Sequence, residues 1–228
     1  MHLQHRTNDL YLYGPPGLKE IITTQLKYSE TDLRYKLIFK ATNPEQSELI
    51  LDTDKLTVTS IPLKHRIHCT GFIFREKPKP HRIDKRRVPK GTSIADIALL
   101  KQGQDVHDED GNIKFRASDV LLPPRKSRSY AYCSDTIFDR DLIPYVENVD
   151  LLYHESTFLK DKVFWAEQTF HSTAEQAATI AHEAKVSQLI IGHFSARYKD
   201  VGVFVEEARE KFPNTQLARE GESFHIEE

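Results

Sequence analysis

Polar and apolar positions along this chain follow two periods. Short β-branched or alternating runs at LYLY (10–13), YKLIF (35–39), ELIL (48–51), KLTVTSI (55–61) and CTGFIF (69–74) predict strands. The continuous apolar runs in SYAYCS, VDLLYH and SQLIIGH predict strands buried on both faces. Gly14-Pro15-Pro16-Gly17 turns the first strand into a helix, LKEIITTQLKY. IADIALLKQG (94–103) predicts a short helix stopped at Gly103, and HDEDGNIKF (107–115) a hairpin turning at Asp110-Gly111. Between VDLLYH and SQLIIGH, Ala174, Ala177, Ala178, Ala181 and Ala184 recur at helical spacing. They predict a small-residue face that packs closely on a sheet. Ser172 is expected to cap that helix, with Glu175 completing a capping box. VFVEEAREKF predicts the last helix, and a terminal strand is expected near SFHI. Strands and helices alternate throughout, so the class is α/β with mixed sheets, in one domain plus an arm.

Composition narrows the function. The 228 residues suffice for a sizeable core. No run approaches the roughly 18–20 apolar residues of a membrane span, and MHLQHRTNDL lacks a signal-peptide pattern. Cys69 and Cys133 are the only cysteines, which excludes a disulfide scaffold, a zinc finger and a c-type haem. A reduced, cytoplasmic setting is expected. The net charge of −2 conceals a local excess. Eight basic residues (Arg75, Lys77, Lys79, Arg82, Lys85, Arg86, Arg87 and Lys90) face only Glu76 and Asp84 in the same window, which is therefore +6. Pro78, Pro80 and Pro89 keep it out of regular helix. Such an extended arm either grips phosphates or is a solvated surface loop.

The 11 histidines raise the question of chemistry. His65 follows KLTVTSIPL, Asp135 follows SYAYCS, His154 and Glu155 follow VDLLY, and His193 follows SQLIIG. Catalytic and ligand groups gather at the carboxyl ends of strands in layered α/β folds. Two histidines and a carboxylate converging from separate strands would suit zinc or manganese. Each residue alone could equally be a hydrogen-bonded structural group, and Asp135 a turn opener. His171, just before the capped helix, is either a flanking residue or an acid–base group near a helix N-terminus.

HRIHCTGF (65–72), CSDT (133–136), HEST (154–157), HSTAEQAA (171–178) and IGHFSARY (191–198) occur in that order. Together with LYLYGPPGL (10–18) and the run DEDGNIKFRASDVLLPPRKSRSYAYCSDT, they resemble ribonuclease Z, the tRNA 3′-processing endonuclease of the metallo-β-lactamase superfamily. The resemblance spans essentially the whole chain. It implies a metallo-β-lactamase αββα sandwich lacking much of its N-terminal half, as a single domain over 1–228 with an exosite-like arm at about 75–102. It implies His65, Asp135 and His193 as zinc ligands, with Asp135 bridging two Zn2+ ions in a complete site. It implies His171 as the catalytic histidine, oriented by Glu155. Lys77, Lys79, Arg82, Lys85, Arg86, Arg87 and Lys90 would hold precursor tRNA, and the protein would be a cytoplasmic homodimer.

Two departures stand out. The family's principal metal motif, His-x-His-x-Asp-His, is absent, and His2 and His5 at spacing i, i+3 do not replace it. The arm also lacks the Gly-Pro pair typical of the bacterial exosite, reading PKGTSIADIALL instead. The expectation is therefore an N-terminally incomplete enzyme, inactive alone, holding at most one zinc weakly. Two alternatives are a non-catalytic tRNA-binding or partner subunit, and another metallo-β-lactamase-type phosphodiesterase.

Overall fold

A computed structural model describes residues 6–227, so His2 and His5 lie outside the described residues. The elements in chain order are β1 (Leu10–Gly14), α1 (Leu18–Tyr28), β2 (Leu37–Ala41), β3 (Glu48–Asp52), β4 (Leu56–Leu63), β5 (Cys69–Glu76), β6 (Arg82–Ile83), α2 (Ile94–Lys101), β7 (Val106–His107), β8 (Ile113–Phe115), α3 (Ala117–Val120) and β9 (Leu121–Leu122). They continue with β10 (Ser129–Cys133), α4 (Ile143–Val146), β11 (Leu151–Glu155), α5 (Val163–Thr169), α6 (Ala174–Glu183), β12 (Gln188–Gly192), α7 (Gly202–Lys211) and β13 (Thr215–Leu217). Among the described residues no helix is long and apolar enough to cross a membrane.

The chain divides into two compact units. The larger contains a seven-stranded sheet ordered β13-β12-β11-β10-β5-β4-β3. Strands β10 to β13 run parallel, and β5 joins β10 antiparallel. A separate pair, β1 and β2, is parallel and linked through α1. Strand alternation assigns the two faces of the large sheet. Ile61, Ile73, Ala131, Cys133, Leu152, Leu189 and Ile191 form the core with α6, α7 and Phe204. Each fully buried Leu, Ile or Phe there contributes roughly 1.5–3 kcal/mol. On the other face Tyr130, Tyr132 and Tyr153 are half-buried and Phe74 is exposed. The Tyr132 and Tyr153 rings stack at 4.8 Å. This face of the sheet is apolar and only partly covered, and β3 and β13 are the sheet's edges.

Helix α6 packs against α7, β11 and β12. Its alanines at 174, 177, 178 and 181, and Ala184 beyond, have no exposed surface, so small side chains let the helix approach the sheet closely. The cap differs from expectation. Thr173, not Ser172, accepts from the Gln176 N–H, and Gln176, not Glu175, returns the bond to the Thr173 N–H. Both residues offer a hydroxyl, but the Ser172 hydroxyl donates to the Thr136 carbonyl at 2.8 Å instead. The terminal strand is Thr215–Leu217 rather than SFHI, because Thr215–Leu217 finds the β12 edge while 223–226 has no strand partner.

The smaller unit covers 76–128, well beyond the expected arm of about 75–102. It is also not merely extended. Strand β6 pairs with β9 and β7 with β8, and Leu100, Val106, Ala117 and Val120 form a small core of its own. The later half supplies the partners that close it. At its neck the Arg128 guanidinium donates to both Glu76 carboxylate oxygens, at 2.7 and 3.2 Å. Arg128 and Lys79 hold the Glu76 carboxyl down to about 2.

Candidate active site

Parallel β10, β11 and β12 end side by side, and the register sets Cys133 beside His154 and Glu155 beside Gly192. Asp135, Glu155 and His193 therefore leave neighbouring strands at one edge of the sheet. His65 arrives from the end of β4. Its loop is clamped to the Asp135 loop, since the Lys64 N–H donates to the Thr136 hydroxyl at 3.2 Å and the Ile137 N–H to the Lys64 carbonyl at 2.8 Å. His171 lies in the short link between α5 and α6, tied to the same loop through Ser172.

Two non-glycine residues at the site occupy the left-handed region, Phe170 with φ 60° and His193 with φ 62°. Such strain concentrates at functional sites. The Phe170 carbonyl lies 2.8 Å from His65 Nδ1. Gly192 has no room for a side chain, because a Cβ there would lie 2.6 Å from the Tyr153 hydroxyl oxygen.

Glu155 is the organising group. It has no exposed surface. Its Oε1 accepts from the Thr136 N–H at 2.9 Å and lies 2.7 Å from His171 Nδ1. Its Oε2 accepts from the Thr157 N–H at 3.0 Å and the Thr157 hydroxyl at 2.8 Å. Burial alone would lower the His171 pKa, but the Glu155 carboxylate outweighs it and holds the imidazole above 6.5. Burial likewise pushes Asp135 up. The Ser134 hydroxyl at 2.8 Å, with His193 and His171 nearby, holds it below its ordinary value.

The structure brings His65, Asp135, Glu155, His171 and His193 together. The His171 ring is 4.9 Å from that of His65 and 5.2 Å from that of His193. His193 Nε2 lies 3.5 Å from Asp135 Oδ1. Among the described residues two overlapping donor sets occur, His65–Asp135–His171 and Glu155–His171–His193, each with ligand atoms within 4.8 Å of one another, so the expected ligands His65, Asp135 and His193 are divided between them. In the second set Glu155 and His171 are already bonded to each other, so it is the less open to an ion. The imidazole and carboxylate donors suit a zinc-type cation. His65 Nδ1 also lies 2.8 Å from the Phe170 carbonyl, which leaves Nε2 free. His154 is not part of the cluster. It is a core histidine whose Nδ1 lies 2.7 Å from the Glu155 carbonyl, and burial lowers its pKa. Sequence reading gave no role to Thr136, Thr157 and Phe170. The two threonines sit inside the quoted CSDT and HEST, but the Thr136 bond to Glu155 and the Thr157 bond to His193 each reach the end of another strand.

Of the expected arm cations, Arg86 and Arg87 pair with Asp84, and Lys79 with Glu76. Arg82 donates to the Pro123 carbonyl at 3.1 Å. Lys79, Arg82 and Lys85, joined by Lys101 and Arg125, surround a cavity of about 650 Å³ floored by Pro80, Ile83, Val88 and Ile97.

A mixed sheet backed by α6 and α7, carrying a histidine–carboxylate cluster at the ends of its parallel strands, defines a protein of the metallo-β-lactamase fold. The chain aligns over 94% of its length, and 64% of the other chain, with a metallo-β-lactamase fold protein from Bacillus subtilis, at TM-score 0.57 and 18% identity. It aligns over 98%, and 70% of the other chain, with human short-form tRNase Z, at TM-score 0.62 and 19% identity. No family model matches. Over 226 residues, 99% of this chain and 72% of the relative, it is 50% identical to the ribonuclease Z of Cytophaga hutchinsonii. The chain belongs to the ribonuclease Z family.

Proposed function

We propose that this protein is a tRNA 3′-endonuclease, hydrolysing the phosphodiester that joins the 3′ trailer to precursor tRNA. The observation that carries the reading is the His171–Glu155 pair at 2.7 Å, set among His65, Asp135 and His193. Hydrolysis adds water across one P–O bond. The tRNA leaves with a 3′-OH, and the trailer keeps the phosphate. The departing 3′-oxygen needs a proton, and His171 supplies it from Nε2 while Glu155 holds Nδ1. Glu155 raises the His171 pKa against the effect of burial, which favours the protonated, proton-donating imidazole.

His65, Asp135 and His193 would hold zinc. When bound, the metal polarises the phosphoryl oxygens and lowers the pKa of water. These donors furnish one incomplete ligand set. The 228-residue chain therefore holds at most one zinc weakly and does not cleave alone, and a complete site takes two. The cations of the smaller unit, Lys77, Lys79, Arg82, Lys85, Arg86, Arg87 and Lys90, bind tRNA phosphates, with the cavity beside Lys85 among them. Homodimerisation and a cytoplasmic setting belong to the same reading.

The test is zinc content and precursor-tRNA cleavage, measured for this chain and for one extended upstream. Turnover by the 228-residue chain, abolished by His171→Ala, overturns its inactivity. Cleavage by the extended chain that survives His171→Ala overturns the role of His171. Tight tRNA binding without cleavage by either chain favours a non-catalytic RNA-binding subunit.

A further inference from the structure

The Thr157 hydroxyl touches two groups that belong to different parts of the site. It donates its single proton to Glu155 Oε2 at 2.8 Å, and it lies 2.9 Å from His193 Nδ1. A hydroxyl has one proton to give. With that proton on Glu155, the oxygen accepts from His193, so Nδ1 carries the hydrogen. Nε2 of His193 is then the free lone pair, and it faces Asp135 Oδ1 at 3.5 Å.

The Glu155 carboxylate therefore serves two histidines through its two oxygens. Oε1 takes His171 directly. Oε2 reaches His193 through the Thr157 hydroxyl. Thr157 is 7% exposed, and its own N–H also grips Oε2 at 3.0 Å, so the Thr157–Glu155 end of the relay is buried and doubly held, while the His193 side chain at the other end is 43% exposed. A hydroxyl that only satisfied the carboxylate two residues before it would be an ordinary local bond. This one also aims its lone pair across to the residue following β12.

We propose that Thr157 is a positioning residue, whose hydroxyl fixes the Nδ1–H tautomer and ring orientation of His193 and couples that histidine to the carboxylate that orients His171. The metal-affinity consequence rests on the ligand role proposed for His193; the tautomer does not. Partners behind a metal-binding histidine typically change metal affinity by about 10–100-fold.

The experiment uses the metal-free 228-residue chain labelled with 15N, in which long-range proton–nitrogen correlations report each imidazole tautomer at about pH 8, above the ordinary imidazole range. The His193 signals are assigned by their loss in His193→Ala. Wild type is expected to show Nδ1–H at His193. Finding Nε2–H there overturns the proposal without any variant at Thr157. Thr157→Val removes the hydroxyl at nearly constant volume, and Thr157→Ser restores it. Valine should yield a mixed tautomer and a zinc affinity about 10–100-fold weaker by chelator competition, and serine should return both to wild type. A valine variant that keeps Nδ1–H and wild-type zinc affinity overturns the proposal, as does a serine variant that folds but rescues neither. If wild type binds no zinc, the ligand role of His193 fails, and the tautomer measurement alone decides the role of Thr157.

Discussion

His171 Nδ1 lies 2.7 Å from Oε1 of Glu155, a carboxylate with no exposed surface. That contact sets the sign of a pH effect. Burial alone would depress the His171 pKa, and Glu155 raises it above 6.5. A raised pKa means the folded state favours the protonated imidazole. The stabilisation is complete below the unfolded value and is lost as pH rises through the folded one. Glu155→Gln should therefore bring the His171 titration down, and the stability gap between wild type and variant should narrow from pH 5.5 to pH 8.5. NMR titration of His171, with denaturant melts at the two pH values, checks both. An unmoved His171 titration contradicts the coupling.

Glu207 in α7 is a second buried carboxylate with a bracing task. It accepts from the Lys160 N–H at 3.0 Å and from the Glu175 N–H, in the first turn of α6, at 3.1 Å. Replacing it with leucine leaves both donors without their partner, at a cost of about 1–3 kcal/mol. Glu207→Gln keeps one acceptor oxygen and should lose less. Urea denaturation distinguishes the two, and equal losses would argue against the bracing role.

Lys185 ends α6 with φ 54°, in a motif where the Val186 N–H reaches the Ala181 carbonyl and the Lys185 N–H reaches that of His182. A side chain in this conformation is strained and glycine is not. Lys185 is exposed, so little packing is lost. Lys185→Gly should stabilise the protein by about 1 kcal/mol, read as a higher denaturation midpoint at unchanged slope.

Glu76 predicts the acid behaviour of the smaller unit. Arg128 foremost, then Lys79, depresses its pKa to about 2 from 4.5. A depressed carboxyl contributes stability above its unfolded pKa and loses it as pH falls towards the folded one. Hydrogen-exchange protection at the neck of 76–128, measured relative to intrinsic exchange rates, should therefore fall between about pH 4.5 and pH 2. Glu76→Gln should show the lower protection already at neutral pH. Equal exchange in variant and wild type would remove Glu76 from the neck.

Ala181 has no exposed surface on the face of α6 that meets the sheet and α7. Ala181→Leu overpacks this contact and should cost about 1–3 kcal/mol. The same leucine at exposed His182 should change little. Thermal melts of the two variants provide the comparison.

The sequence by itself determined most of the strands and the longer helices and which residues end β10, β11 and β12, though not α4, α5 or the terminal strand. Period-two and period-3.6 patterns are local, and so are the runs before Asp135, Glu155 and His193. Helix α1 falls on LKEIITTQLKY residue for residue. Tertiary structure decided matters that depend on partners distant in the chain. Ser172 and Thr173 are both chemically able to cap α6, and the choice fell to Thr173 because the Thr136 carbonyl, 36 residues away, takes the Ser172 hydroxyl. The smaller unit runs to 128 because β9 returns to pair with β6 and Arg128 to bind Glu76. His154 and Glu155 are adjacent in HEST, and strand alternation with the register Glu155–Gly192 sends one into the core and the other to the cluster. The Thr157 link between Glu155 and His193 depends on that same register, since only the pairing of β11 with β12 brings residues 36 apart within a hydrogen bond.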